Sequence, residues 1–396
     1  MNIDSAVVLA AGEGERLRPL TAHRPKPMLP AGDAPILQRV LDALIDADID
    51  DIHVVIGYQR DRVRNRLGAT YRDRTLTYHV QEPQLGTGHA LLQVEDAVSE
   101  DLLVVNGDEV IAPETVRQVI AEHGPTDVAT LAVTADDDAT QFGAVELDGD
   151  RVTELVERPG SGDYRLMNAG IYVFGPSIFS EIEQTPGSAG ERRITDTVTR
   201  LIERSGNVRG VRTEGFRTKV TYPWDLLDLA ADIAARGATA ASPRTESIYV
   251  ADSATVHDDA VLRSPAVVGS DTVVEPGAVV GPDVTLGRNV TVEAGATLSR
   301  CVIDDDTRIG RSTTLADAVT GTGVVIGPGV TSPGGPADVR VGTTVYEDRA
   351  LGSVLADRAT VGGGATLRPG VLVGPEATVA PGVRVTENVG AGAEVV

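Results

Sequence analysis

Residues 255–299 read TVHDDAVLRSPAVVGSDTVVEPGAVVGPDVTLGRNVTVEAGATLS. Val256, Leu262, Val268, Val274, Val280, Leu286, Val292 and Leu298 recur there every six residues without a break. Two positions earlier, Ala254, Ala260, Ala266, Thr272, Ala278, Val284, Val290 and Ala296 keep the same step. The beat slips by one at Ile303, Ile309 and Leu315, and returns at Val361, Leu367, Val373, Val379 and Val385. Neither the helical period nor strand alternation fits this spacing. It predicts short strands separated by turns, coiling into a triangular prism with one aliphatic residue per face pointing inward. Coils that contact only their neighbours give a continuous but thin core. Gly269, Gly281, Gly287 and Gly310 fall near the corners, where unusual φ values are expected. Residues 331–357 break the pattern and are read as a loop projecting from the prism, toward a subunit boundary.

Upstream the grammar is different. AVVLA (6–10), DIHVVIG (51–57), DLLVVNGD (101–108) and VATLAV (128–133) are short, β-branched apolar runs. Amphipathic stretches lie between them, such as PILQRVLDALIDAD (35–48) and PETVRQVIAEHG (113–124). Leu37, Val40, Leu41, Leu44 and Ile45 share one helical face. Strands alternating with helices predict an α/β domain over residues 1–235: a doubly wound, Rossmann-like mixed sheet, mostly parallel and covered on both sides. Ligands then sit at the carboxyl ends of the strands. RGATAASPRTES (236–247) is small, polar and proline-bearing, so it is read as a linker to the repeat domain at 248–396.

Composition narrows the function. Aromatic residues are 3% of the chain, which argues against base-stacking nucleic-acid platforms. A formal charge of −23 argues the same way, because a phosphate backbone needs a basic face. Lysine is almost absent, with two residues against 33 arginines. This pattern points to a salt-loving organism, where high ionic strength screens self-repulsion. Cys301 is the single cysteine, so no internal disulfide and no thiolate metal cluster is expected. The sequence has no secretory h-region and no long apolar run, so a cytoplasmic protein without membrane partners is expected.

The stretch LAAGEGERLRPLTAHRPKPMLP (9–30) carries the chemistry. A strand ends at Ala10 or Ala11, and a glycine loop lets backbone N–H groups approach a phosphate. A dinucleotide fingerprint needs a third glycine, and Leu17 stands there. Arg16 and Arg18 occupy the loop, which suits a free triphosphate better than a pyrophosphate bridge. Lys26 lies between Pro25 and Pro27, which fix φ on either side. A chain that has nearly abandoned lysine keeps one where a compact ammonium must touch a phosphoryl oxygen. Lys219 reads as a chance surface lysine.

These residues resemble the signature of the sugar-1-phosphate nucleotidyltransferases, the nucleoside-diphosphate-sugar pyrophosphorylases. The resemblance continues in QEPQLGTGHAL (81–91), NGD (106–108), FGAVEL (142–147), VERP (156–159), NAGIYVF (168–174) and YPWDLL (222–227). The second half resembles the left-handed β-helix attached to several members, notably archaeal bifunctional enzymes similar to N-acetylglucosamine-1-phosphate uridylyltransferase. The resemblance implies attack by a sugar phosphate on the α-phosphorus of UTP or dTTP. Arg16 and Lys26 would be catalytic, and Ala11, Gly12, Gly14, Gln81, Gly86 and Thr87 would bind the nucleotide. Gly143, Glu157 and Asn168 would face the sugar. Asp108 and Asp225 would hold Mg²⁺, an ion that favours hard oxygen ligands completed by substrate phosphates. Taken without the family, Asp108 reads equally well as a turn or capping residue, and Asp225 as a helix N-cap. The family often has lysine after the glutamate of VERP. Arg158 stands there, which puts its phosphate contact in question.

Acetyl transfer by the repeat domain needs a general base. The bifunctional enzymes use a histidine and an asparagine near the projecting loop, but residues 312–339 contain neither. His257 reads as an outward turn residue. The expected role of the prism is therefore oligomerisation, with a trimer favoured, or regulation. The alternatives are an active amino-sugar-1-phosphate acetyltransferase, making the protein bifunctional, and a non-catalytic subunit that binds nucleotide sugar.

Overall fold

The computed structural model describes residues 3–136, 139–187, 190–214 and 217–396; the side chains of Gln141, Arg217 and Lys219 lie outside the description. The chain forms two compact units. One comprises Met1–Gly12 and Ile36–Lys219, the other Glu13–Pro35 and Val220–Val396. The segment carrying Arg16 and Lys26 thus belongs with the C-terminal part of the chain.

The first unit is built on a ten-stranded sheet. Read across, its strands are Gly143–Asp148, Arg151–Glu157, Val208–Arg212, Ala129–Ala135, Leu166–Phe174, Leu102–Asn106, Ser5–Ala10, Asp51–Ile56, Arg74–Val80 and Thr70–Tyr71. Ser5–Ala10 runs parallel to both Asp51–Ile56 and Leu102–Asn106. Leu166–Phe174 runs antiparallel to Leu102–Asn106 and to Ala129–Ala135, so the sheet is mixed. Val7, Leu9, Val104, Leu131 and Phe174 form one apolar cluster with Ile178, Phe179 and Ile182 of helix Ser177–Gln184 and Val198 of helix Ile194–Glu203. Each such buried side chain stabilises the fold by about 1.5–3 kcal/mol. Helix Pro113–Glu122 packs against Ala129–Ala135 and Leu166–Phe174, and in turn receives helix Ile36–Asp46. Leu37, Val40, Leu41 and Leu44 of that helix are fully buried, while Ile45 is half-buried at the margin of the stripe.

In the second unit, short strands pass in rotation through three sheets of eight, eight and seven strands. Apart from the antiparallel edge strand Ser242–Thr245, which lies in the stretch read as linker, neighbours in these sheets are parallel. Val273 lies beside Thr255 and Thr291 beside Val273, a step of 18 residues per coil. Arg308 then lies beside Thr291 and Val325 beside Arg308, a step of 17. Two shortened coils are therefore the physical content of the slip at Ile303, Ile309 and Leu315. Val268, Val274, Val280, Leu286, Val292 and Leu298 are buried in one continuous core.

The corner glycines are required for two different reasons. Gly281 has φ +111°, a conformation L side chains rarely adopt, and a β carbon there would also collide with Arg263 O of the preceding coil. Gly269, Gly287 and Gly310 are not in left-handed conformations; a β carbon on them would come within 2.5, 2.7 and 2.5 Å of the next coil. Close stacking, rather than φ, excludes a side chain at those three. Between coil strands Thr331–Ser332 and Ser353–Leu355 the chain leaves the stack as an antiparallel hairpin, Pro336–Val341 with Thr344–Ala350. Among the described residues, no helix is long and apolar enough to cross a membrane.

Candidate active site

Within the first unit, the carboxyl ends of the strands gather most of the residues singled out by sequence. Leu102–Asn106 ends in the NGD turn, where Gly107 N–H donates to Leu9 O at 2.9 Å. A β carbon on Gly107 would meet Ala10 at 2.9 Å, so glycine allows the turn to lie against the first strand. Asp108 follows, half-buried. Ala11 is buried and its carbonyl accepts from Tyr58 N–H at 3.2 Å. Around Gly12 a β carbon would meet nothing within 4 Å, so its backbone is open to approach.

Gln81 is only 4% exposed. Its side-chain nitrogen donates to Gly86 O and to His89 Nδ1, both at 3.0 Å. An amide nitrogen can only donate, so both its protons are engaged and Oε1 is left as an acceptor. His89 Nδ1 must then be unprotonated, and burial, followed by the Arg192 charge, lowers the imidazole pKa below its ordinary value. The GTG turn is pinned from a distant segment. Gly88 N–H donates to Arg192 O at 2.8 Å, and Ile194 N–H donates to Thr87 Oγ1 at 3.0 Å. Gly86, at φ +93°, stands so close to Arg192 that a β carbon would meet its carbonyl oxygen at 2.4 Å.

Gly143, Glu157 and Asn168 come together. Gly143 pairs with Glu157 across an antiparallel ladder. A β carbon on Gly143 would stand 3.3 Å from Glu157 Oε2 and 3.5 Å from the Asn168 β carbon. Asn168 begins a break in register of its strand. Its Nδ2 donates to the Tyr172 hydroxyl at 2.6 Å and its Oδ1 accepts from Gly170 N–H at 3.1 Å. One amide proton and one lone pair remain for a ligand. Arg158 adopts a left-handed φ of 48°, and its Nε lies 3.7 Å from Glu157 Oε1. The two side chains are neighbours, so the arginine partly neutralises the glutamate beside it.

Within the second unit, loop Glu13–Pro35 and motif YPWD form another group. Gly14 has φ +70°, and a β carbon there would lie 2.6 Å from the Lys26 β carbon. Only glycine lets these two stretches of loop touch. Thr21 Oγ1 donates to Gly14 O at 2.8 Å, and Leu17 and Leu20 are buried beneath. Lys26 is 8% exposed, at the start of a short 3-10 turn. Arg16 is exposed and its charge reaches Tyr222. Asp225 opens helix Asp225–Arg236, and its Oδ2 accepts from Thr221 N–H at 2.7 Å and Tyr222 N–H at 2.8 Å. Burial pushes the Asp225 pKa up most; the two N–H bonds and the Lys26 charge pull it down. The Lys26 charge thus reaches Asp225. The projecting hairpin closes over the motif: Tyr346 lies 4.7 Å from the Tyr222 ring and 5.5 Å from Trp224, with the two tyrosine hydroxyls 2.9 Å apart.

The donor chemistry of Asp225 fits a hard divalent cation. One oxygen is fixed by backbone N–H groups, and a carboxylate whose burial disfavours its charge gains from a cation beside it. Among the described residues no three or more histidine, cysteine, aspartate or glutamate side chains form a metal cage. In the strand stack, His257 is exposed and its Nδ1 accepts from Asp259 N–H at 3.1 Å.

A nucleotidyl transferase family model matches residues 5–225, more than half of the chain. The chain belongs to the nucleotidyl transferase family. The family match spans the NGD, VERP and NAG motifs and ends on Asp225. A GMPPB C-terminal domain model matches residues 262–345. The bifunctional protein GlmU of Methanococcus maripaludis is 34% identical over 227 residues, 56% of this chain and 52% of that protein. The chain thus matches about half the length of its GlmU relatives. AglF of Haloferax volcanii, a UTP–glucose-1-phosphate uridylyltransferase, is 35% identical over 56% of this chain and 92% of its own. A Bacillus anthracis protein assigned as a glucose-1-phosphate thymidylyltransferase, solved with sucrose, superposes with a TM-score of 0.53. It is 27% identical and covers 57% of this chain and 93% of that one. Nucleotidyl transferases of this family generally use a divalent metal, and their substrates are a nucleoside triphosphate and a sugar-1-phosphate.

His89, Arg192 and Tyr346 were not singled out by sequence. His89 sits in the same short motif as Gln81 and was within reach of a closer reading. No local signal ties Arg192 to Gly86 or Tyr346 to Tyr222, because these partners meet only through the fold.

Proposed function

We propose that this protein transfers a nucleotidyl group from UTP or dTTP to a sugar-1-phosphate, releasing pyrophosphate. The observation that carries the reading is a buried lysine on RPKP and a half-buried, backbone-anchored carboxylate on YPWD, both within one compact unit. A sugar phosphate oxygen forms a bond to the α-phosphorus while the bond to the pyrophosphate oxygen breaks. The nucleophile is already anionic, so no general base is required, and catalysis reduces to alignment and charge neutralisation.

Arg16 holds the triphosphate tail and Lys26 neutralises charge near the α-phosphoryl group. Ala11, Gly12 and Gly14 offer main chain to the nucleotide, a role supported by the open space at Gly12. Gln81 Oε1 accepts from the ring N3–H that uracil and thymine share, in a corner shaped by Gly86 and Thr87. Gly143, Glu157 and Asn168 take sugar hydroxyls, and Arg158 the sugar phosphate. Asp108 and Asp225 hold Mg²⁺, which when bound offsets negative charge on the phosphates. Residues 1–235 form the transferase domain, 236–247 the linker, and 248–396 a left-handed β-helix that serves trimeric assembly or regulation. The setting is the cytoplasm of a halophile. The test is pyrophosphate release from a panel of nucleoside triphosphates and sugar phosphates, with Mg²⁺ at molar salt. Release is expected with UTP or dTTP and an aldose-1-phosphate; silence across the panel would overturn the reading in favour of a binding subunit.

A further inference from the structure

Loop Glu13–Pro35 is fastened to the strand stack by a residue that the proposed mechanism does not use. Arg24 is 6% exposed. Its Nη1 donates to Asp304 Oδ2 at 2.5 Å and to Thr322 Oγ1 at 3.3 Å, and its Nη2 donates to Asp357 Oδ1 at 2.8 Å. The three partners follow strands Cys301–Ile303, Ala318–Thr320 and Ser353–Leu355, consecutive neighbours in one sheet. Arg24 therefore grips three successive coils at one edge.

The acceptors are themselves held. Thr322 Oγ1 donates to Asp304 Oδ2 at 3.1 Å, Asp305 N–H to Asp304 Oδ1 at 2.8 Å, and Thr322 N–H to Asp357 Oδ1 at 3.1 Å. Asp304 and Asp357 are 8% and 5% exposed. Burial opposes the Arg24 charge, yet Asp304 and then Asp357 outweigh it and raise the guanidinium above its ordinary value. A buried ion triad is a poor source of net stability, because desolvation offsets the attraction, and its best-attested use is to fix a register.

What Arg24 fixes is two residues away. Pro25 is the one residue between Arg24 and Lys26, and its ring locks φ. Met28 N–H then donates to Pro25 O at 2.9 Å and Leu29 N–H to Lys26 O at 3.0 Å, and Leu29 is fully buried. Gly14 presses on Lys26 from the other side. A shift of Arg24 has little slack in which to dissipate before it reaches Lys26. We infer that the strand stack is part of the framework of the transfer site, with Arg24 acting as a positioning residue that sets Lys26 through Asp304 and Asp357. The inference rests on the role proposed for Lys26 above.

The test uses the full-length protein and Arg24→Met, in the wild-type and in the Lys26→Ala background, read as kcat, KM and thermal midpoint. Expected is a loss of kcat of about 10²-fold in the wild-type background, the scale of a 1 Å misplacement, with little change in KM. In the Lys26→Ala background Arg24→Met should cost nothing further, because both changes remove one function. Equal losses in the two backgrounds, or no loss in either, would overturn the inference. Arg358→Ala, which breaks an exposed pair with Glu376, should leave kcat unchanged. If Arg24→Met does not fold, Asp304→Asn keeps the shape and is read the same way. A second readout needs no turnover: amide exchange at Met28 and Leu29 should rise in Arg24→Met while helix Ile36–Asp46 stays protected. Unchanged exchange at those amides sinks the positioning claim on its own. Wild-type turnover in Lys26→Ala alone would instead remove the role of Lys26, and the inference with it.

Discussion

Trp224, not Asp225, is the N-cap of the helix, and the Asp225 carboxylate holds the turn before it, so replacing Asp225 by asparagine and by alanine separates a metal-holding role from a turn-holding one. Asparagine keeps an oxygen that can accept from Thr221 N–H and Tyr222 N–H, the bonds now at 2.7 and 2.8 Å. Alanine loses both, at a cost of about 2 kcal/mol for bonds to a charged acceptor. That corresponds to roughly 5 °C in thermal midpoint. The charge itself has the opposite effect on stability. Burial raises the Asp225 pKa, so above the ordinary carboxylate range the folded state carries a charge it disfavours. A neutral amide at this position has no such cost, so at pH 7 Asp225→Asn should melt at or above wild type. The gap should close as pH falls into the ordinary carboxylate range, where the wild-type group protonates. Activity should move the other way, with kcat lower by about 10²- to 10³-fold in both variants. The assays are thermal unfolding without Mg²⁺ and pyrophosphate release with it, both at molar salt. An Asp225→Asn enzyme that keeps more than roughly a third of wild-type kcat would reduce Asp225 to a holder of the preceding turn and refute the argument.

Lys26→Arg should lower kcat about 10²-fold without changing the thermal midpoint by more than a few degrees, because a planar fork cannot take the place of a point charge in a slot closed by Gly14. Steady-state kinetics beside a melting curve checks it. Gln81→Leu removes the acceptor at Oε1 and the bonds to Gly86 and His89 together. KM for the nucleoside triphosphate should rise about tenfold while KM for the sugar phosphate holds, as read by varying each substrate in turn. Acetyl-CoA with glucosamine-1-phosphate should release no thiol, because exposed His257 is the only histidine after His123. A measured thiol signal would assign the strand stack a second activity.

The strand stack was legible because its period is local. Each coil puts Val268, Leu286 or Leu298 inward at a fixed step, and the one-residue slip at Ile303 maps onto shortened coils. The reason for each corner glycine was not legible. Gly281 and Gly269 look alike in sequence, yet a neighbouring coil excludes a side chain at both and only Gly281 also needs a positive φ. The antiparallel course of Leu166–Phe174 was equally silent, since a buried apolar run reads the same in either direction. For the site, short motifs placed Gln81 beside Gly86 and His89 because all three fall within nine residues. Glu157 and Asn168 came from separate motifs, and the sheet joins them. The pins that hold these motifs, Arg192 on Gly88 and Tyr346 on Tyr222, join residues more than a hundred positions apart. No periodicity or motif encodes such pairs.

The acidity of the chain bears on why a cation needs this much support. Acidic residues number 58 against 35 basic ones, so an exposed arginine finds carboxylates close by. Arg18 pairs with Glu13, and Arg158 lies against Glu157. Such surface pairs are weak and screened by salt, yet they suffice to turn a long flexible side chain away from a ligand. A cation meant for a polyphosphate gains from a backbone that is itself held in place. Lys26 is placed that way, between two prolines, under Gly14, and two residues from a buried triad that high salt screens far less than a surface pair. Arg16 has no such enclosure and lies exposed. Raising salt should therefore weaken contacts made by Arg16 more than those made by Lys26, since only the buried charge keeps a low-dielectric surround.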